Sequence, residues 1–181
     1  ENMLYTMELT GREILGALEM SYGNWINEMK SPTDHVLRIR EPEKEGDRVQ
    51  FIEPSYNFDS AAGIIYTVDV RKPRGQKVSI ECMADGSPFD LDKTYRVAVN
   101  SYRGNGGGSQ LIDGAGIPAH LLKDRIVQST DVDLRYYLMK YIEEHHTISP
   151  KALNQWKLVP EKWVEPAVKR DYKLLFGEEM K

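Results

Sequence analysis

Apolar and polar residues alternate over residues 4–9, which predicts a short strand. The run Thr10-Gly11-Arg12-Glu13 then has the form of a capping box: the threonine hydroxyl takes the amide proton three residues on, and the glutamate reaches back. Ile14, Leu15, Leu18, Tyr22 and Trp25 follow at helical spacing, so the pattern predicts a helix to about Met29, with Tyr22 and Trp25 in the core. Ser31-Pro32-Thr33-Asp34 breaks it, and residues 41–47 read as a charged surface loop. Alternation returns over residues 62–70, with Ala62, Ile64, Tyr66, Val68 and Val70 on one face. Strands are also predicted over residues 77–83 and 94–100, the latter with Tyr95, Val97 and Val99 on one side. Residues 111–118 read as a short helical turn or loop and 123–127 as one more strand. Thr130-Asp131-Val132-Asp133 caps an amphipathic helix carrying Leu134, Leu138, Tyr141, Ile142 and His145. A last strand is predicted over residues 154–159. Helices and strands mix without a regular βαβ beat, which favours an α+β fold over a doubly wound sheet. The expected organisation is one domain over residues 1–160, followed by a partly helical C-terminal extension over 161–181.

Composition narrows the function. With 40% hydrophobic and 29% charged residues, the 181-residue chain has the balance of a soluble protein with a sizeable core. A net charge of −4 argues against binding a nucleic acid polymer. No apolar run approaches the roughly 20 residues that span a bilayer, so no membrane span is expected. The single cysteine, Cys82, sits in a strand-like run and is expected to be inert. The opening Glu1-Asn2-Met3 is not an initiating methionine, and the expectation is a processed product or a piece of a longer protein. Export is not legible from this N-terminus.

The search for chemistry centres on the end of the strand over 94–100. There Asn100, Tyr102, Arg103, Asn105 and the glycines Gly104, Gly106, Gly107 and Gly108 follow one another. Glycines let a backbone or a ligand approach closely, so the stretch is a shaped loop. Either it is a turn with Tyr102 packed on the core, or Tyr102 forms a ligand wall; these residues alone leave both open. The loop lacks the Gly-Lys-Ser/Thr ending of a P-loop and does not open a βαβ unit. His35, His120, His145 and His146 show no zincin-type or EF-hand spacing to carboxylates. No Gly-x-Ser-x-Gly elbow is present either. The chain therefore displays no catalytic engine of its own. A second aromatic and amide cluster, Tyr56-Asn57-Phe58-Asp59, precedes another strand. Aromatic rings hold a flat base by stacking and amides read its edges, so a nucleoside suits both clusters. A sugar or a partner's aromatic side chain suits them too.

Several of these stretches together resemble a known family. Residues 4–14, the Tyr56-Asn57-Phe58-Asp59 motif with residues 63–69, and residues 92–108 resemble the C-terminal domain of the 5′-nucleotidase family. The Asn100-Ser101-Tyr102-Arg103 and Asn154-Gln155-Trp156-Lys157 motifs are most similar to its 2′,3′-cyclic-nucleotide 2′-phosphodiesterase/3′-nucleotidase branch. The match covers roughly residues 2–160. It implies a four-layer α/β/β/α domain that grips a nucleotide or nucleoside. It also implies a separate N-terminal metallophosphoesterase domain that holds a divalent metal pair, with no cofactor in this chain. The base-stacking aromatic of the family falls on Tyr102. Phe58 or its neighbour Tyr56 is the candidate second wall, although in the cyclic-phosphodiesterase branch that aromatic comes just before the residue matching Asn2. Asn57, Asn100 and Asn105 are candidate hydrogen-bond donors, and Arg103, Gly106 and Gly107 complete the candidate site. Where 5′-nucleotidases carry a ligand-contacting aspartate this chain has Gly108, which favours the cyclic-phosphodiesterase branch. A 5′-nucleotidase C-terminal domain and a stand-alone, non-catalytic nucleoside- or sugar-binding or docking module are the alternatives. The resemblance implies a periplasmic or cell-surface protein.

Overall fold

A computed structural model describes residues 2–40, 42, 44 and 49–177. The elements run β1 (Leu4–Thr10), α1 (Gly11–Trp25), β2 (Ile39–Arg40), β3 (Gln50–Phe51), β4 (Ile64–Asp69), β5 (Val78–Met83), β6 (Thr94–Asn100), α2 (Ser101–Gly104), β7 (Ile126–Ser129), α3 (Leu134–His145), β8 (Trp156–Val159) and α4 (Glu161–Phe176). They fall into two compact units, Glu1–Ala17 with Asp90–Asn154, and Leu18–Phe89 with Gln155–Lys181. The expected α+β mixture is present in both. Apart from Pro42 and Lys44, the charged loop expected over residues 41–47 lies outside the described residues.

In the first unit β1 is the middle strand of an antiparallel sheet ordered β6-β1-β7. Because side chains alternate across a strand, Met7 and Leu9 share one face and both are buried. The chain after the glycines returns against that face, where Leu111, Ile117 and Leu122 close the core and Tyr5, Val97 and Val99 pack at its margin. The capping box is made in both directions: Thr10 N donates to Glu13 Oε2 (2.7 Å), and Glu13 N to Thr10 Oγ1 (3.2 Å). The strand expected over 123–127 lies further on, at β7. Lys123–Arg125 form a 3₁₀ turn instead, and pairing with Tyr5 to Met7 sets where the strand begins. On α3, the apolar positions Leu138, Tyr141 and Ile142 are all exposed.

In the second unit β4 lies between antiparallel β5 and parallel β8. Its inward residues Ile64, Tyr66 and Val68 are buried, as the alternation predicts. An aromatic cluster fills the space above them. Trp25 lies between Phe51 and Phe58, with ring centroids 4.7 Å away on each side. Tyr22 meets Phe58 and Trp156 edge-on, and its hydroxyl pairs with that of Tyr66 at 2.9 Å. Such aromatic pairs contribute about 0.5–1.5 kcal/mol each beyond the area they bury. Burial, with the hydrogen bond to Tyr66, holds the Tyr22 phenol far above the usual tyrosine range. The helix α1 stops at Trp25 and not near Met29. Ile26 bridges to Leu37, Asn27 N donates to the Val36 carbonyl (2.8 Å), and the Arg38 guanidinium takes the Gly23 carbonyl (2.9 Å). A non-local pairing thus replaces the last helical turn.

Candidate functional site at the glycine-rich loop

The loop begins where β6 runs out of partner. Leu4 pairs with Asn100, and just beyond them Ser101 N donates to the Met3 carbonyl (2.8 Å) while Met3 N donates to Ser101 Oγ (3.0 Å). Asn100 stays extended and caps the single turn α2, its side chain accepting from Arg103 N at 2.8 Å. That turn places Tyr102 outward, 45% exposed, and sends Arg103 inward to 6% exposure. Each residue step along a helix rotates the side chain by about 100°, which accounts for their opposite fates.

Tyr102 is held from several directions. Its amide donates to Asn2 Oδ1 (3.3 Å), and its carbonyl accepts from Gly107 N (2.8 Å). A β-carbon built on Gly107 would lie 2.6–2.7 Å from three adjacent ring carbons of Tyr102. A point almost equidistant from three adjacent ring atoms lies over the ring plane, so the Gly107 backbone backs one face of the ring. Only glycine allows that approach. The Arg103 guanidinium carbon lies 5.5 Å from the ring centroid. Its Nη1 donates to the Gly107 carbonyl and to Gln110 Oε1 (2.6 Å). Arg103 and Gln110 are therefore internal members of the loop, and Asn105 is exposed at its tip. Gly106 turns the chain with φ +93°.

Asn2 ties this loop to α3. Its backbone N donates to Asp133 Oδ2 (2.7 Å), its carbonyl accepts from Leu134 N (2.8 Å), and its Oδ1 accepts from Tyr102 N. Asp133 caps α3 and is bonded by Arg135 through side chain and backbone; with the Asn2 amide these hold its carboxyl far below the usual aspartate range.

The candidate residues thus divide. Tyr102, Asn100, Arg103, Asn105, Gly106 and Gly107 come together in the first unit, while Tyr56, Asn57 and Phe58 belong to the second. There Tyr56 is 72% exposed on a 3₁₀ turn, Asn57 closes that turn, and the half-buried Phe58 ring is engaged by Trp25 and Tyr22. Asn2 and Gln110 were not singled out as site residues. The one signal in the sequence is a polar residue at the head of the apolar run Gln110-Leu111-Ile112, and the structure buries it. Among the described residues no group of three or more His, Cys, Asp or Glu is placed to hold a metal ion.

Residues 1–113 match the family model of the 5′-nucleotidase C-terminal domain. This chain belongs to that family. It is 35% identical over 173 residues to the trifunctional nucleotide phosphoesterase protein YfkN of Bacillus subtilis, a match covering 88% of this chain and 10% of the relative. The chain thus spans about a tenth of the length of the curated relative it matches. Among solved structures, the fold is similar to that of a Staphylococcus aureus protein bearing the 5′-nucleotidase name and bound to alpha-ketoglutarate. That match has TM-score 0.60 at 24% identity and covers 87% of this chain and 27% of that one. A 5′-nucleotidase precursor from Thermus thermophilus matches with TM-score 0.52 at 26% identity, covering 88% and 26%. The domain has the α+β fold of 5′-nucleotidase C-terminal domains.

Proposed function

We propose that this domain holds the nucleoside of a nucleotide by stacking its base on Tyr102, for hydrolysis of the phosphate ester on a metallophosphoesterase domain of the same protein. The observation that carries the reading is the Tyr102 ring, partly exposed at a strand end and backed on one face by Gly107. A ring so held has little orientational freedom left to lose when a base stacks on it, and such stacking contributes about 1–3 kcal/mol per base. Family membership and the identity to a nucleotide phosphoesterase support a phosphoric-ester hydrolase acting on nucleotides. Within that class we favour a 2′,3′-cyclic-nucleotide 2′-phosphodiesterase/3′-nucleotidase, because Gly108 replaces the aspartate that 5′-nucleotidases carry.

Among the described residues no group of three or more His, Cys, Asp or Glu is placed to hold the divalent pair of such an enzyme. In this reading the pair belongs to the other domain. On the same reading the chain's own residues bind and orient: Tyr102 stacks, Asn105 is an exposed side chain of the same loop, and Asn100 and Arg103 fix the loop. A periplasmic or cell-surface location goes with the reading; among the described residues no helix is long and apolar enough to cross a membrane.

The test is Tyr102→Ala in a protein that carries this domain together with its phosphoesterase domain. KM for nucleotides should rise about 5- to 150-fold, the range of one lost stack, with little change for p-nitrophenyl phosphate, which has no base. Equal losses on both substrates would sink the stacking role. Assaying 5′-, 3′- and 2′,3′-cyclic nucleotides side by side separates the favoured branch from a 5′-nucleotidase, and no hydrolysis of any of them would leave a non-catalytic nucleoside-binding module.

A further inference from the structure

We infer that Gln110 is a positioning residue for nucleoside binding, acting through Arg103 and Gly107 to fix the Tyr102 ring. The inference rests on the stacking role proposed above and assigns a function to a residue that is itself buried.

The contacts run in a chain. Gln110 is 1% exposed at the start of a single π-helical turn, Gln110–Gly114, and its Oε1 accepts from Arg103 Nη1 at 2.6 Å. The same Nη1 donates to the Gly107 carbonyl, so one nitrogen ties both sides of the loop together. Gly107 in turn lies over the Tyr102 ring and returns its own amide to the Tyr102 carbonyl. The stretch between α2 and Gln110 contains three glycines with little intrinsic conformational preference, Gly106, Gly107 and Gly108, two of them at positive φ. Backbone bonds from Gly106 N to the Arg103 carbonyl (2.9 Å) and from Gly107 N to the Tyr102 carbonyl (2.8 Å) hold one side of this loop. The buried, charge-assisted bonds of Arg103 add the hold on the Gly107 carbonyl, and such bonds are the strong ones, while an unmet buried acceptor is costly. The guanidinium needs a neutral or anionic acceptor held still on the far side, and the buried Gln110 amide oxygen supplies it. The arrangement also accounts for a polar side chain kept at the head of an apolar core segment, beside buried Leu111.

Two variants of chain 1–181 test this. Gln110→Met keeps the volume and removes the acceptor; Gln110→Glu keeps the acceptor and adds a charge facing Arg103. The first readout needs no ligand: a glycine proton over a tyrosine face is shifted upfield by the ring current, and its NOE to the Tyr102 ring protons reports the contact. Both should be present in the wild type, lost in Gln110→Met and restored in Gln110→Glu. The second readout is NMR titration with adenosine, guanosine, cytidine and uridine. Affinity should fall about 5- to 30-fold in Gln110→Met, recover in Gln110→Glu, and fall at least as far in Tyr102→Ala.

If Gln110→Met keeps the Gly107–Tyr102 NOE and the wild-type affinity while Tyr102→Ala loses affinity, the positioning role is overturned and stacking stands. If Gln110→Met loses the NOE and Tyr102→Ala binds as the wild type does, stacking is overturned and with it any positioning for that purpose. A fall in melting temperature with unchanged NOE and affinity marks Gln110 as a core residue only and also overturns the inference.

Discussion

At the scale of single residues, the site depends on how closely a backbone may approach a ring. Gly107 and Gly106 are neighbours with different constraints, and substitution separates them. Gly107 does not have positive φ, so alanine suits its backbone, but the new methyl would fall 2.6 Å from the Tyr102 ring. The obstacle is the face of an outward, half-exposed ring and not core or backbone atoms, so the clash displaces the ring from its place and not the fold. Gly107→Ala should therefore leave stability within about 1 kcal/mol of wild type. It should also weaken nucleoside affinity by an amount comparable to Tyr102→Ala. Gly106 combines φ +93° with a methyl position 2.7 Å from Ile112 Cδ1, at the edge of the core. Gly106→Ala should lose about 1–3 kcal/mol in chemical denaturation, because a left-handed alanine and a displaced core side chain are both imposed. Equal stability losses in the two variants would show that Gly107 supports the fold and not the ring.

Elements were legible where their signals are local. Thr10 and Glu13 lie three residues apart, and their capping box is present in both directions. The alternation of Ile64, Tyr66 and Val68 placed β4 and its buried face correctly. The end of α1 was not legible, because Ile26 is withdrawn from the helix by Leu37, a partner that periodicity within the helix cannot reveal. The same limit applied to the site. Tyr102 was visible as an aromatic before glycines, but the inward turn of Arg103 and the grip of Asn2 depend on residues seven and one hundred positions away. The junction of Asn2 with α3 gives a prediction at this scale. Asp133 is held below the ordinary aspartate value by Arg135 and the Asn2 amide. A carboxyl with a lowered folded-state pKa contributes stability that is present above its unfolded value, about 3.9, and is lost as pH falls through the folded value. Acidification below about pH 4 should therefore loosen the start of α3 and the Asn2 contact together. Amide resonances of Asn2 and Arg135 should shift in one acid titration, which Asp133→Asn abolishes; independent titrations would separate α3 from the loop.

At the scale of the whole chain, the ring proposed to stack and the rings packed in the second unit are different residues, and one helix decides what belongs to the fold. α4 is where sequence periodicity read only scattered apolar residues, since its anchor is polar. Asp171 is fully buried and accepts from Val36 N (2.8 Å), Leu37 N (3.0 Å) and His35 Nδ1, all about 135 positions away. The Arg170 guanidinium adds a bond to the Asp34 carbonyl. Helix α4 thus satisfies backbone donors of the very segment that draws Ile26 out of α1. Removing the carboxylate leaves those donors buried without an acceptor, so Asp171→Ala should cost about 2–5 kcal/mol. The readout is selective, because Trp25, Trp156 and Trp163 all belong to the second unit. Urea unfolding followed by tryptophan fluorescence should show a lowered midpoint in Asp171→Ala. Phe58→Ala should lower it as well, by withdrawing a ring from Trp25 and Tyr22. Tyr102→Ala should leave it where it is, because its ring is half-exposed and belongs to the other unit. An unchanged midpoint in Asp171→Ala would mean that α4 is a dispensable appendage to a domain ending near Pro160.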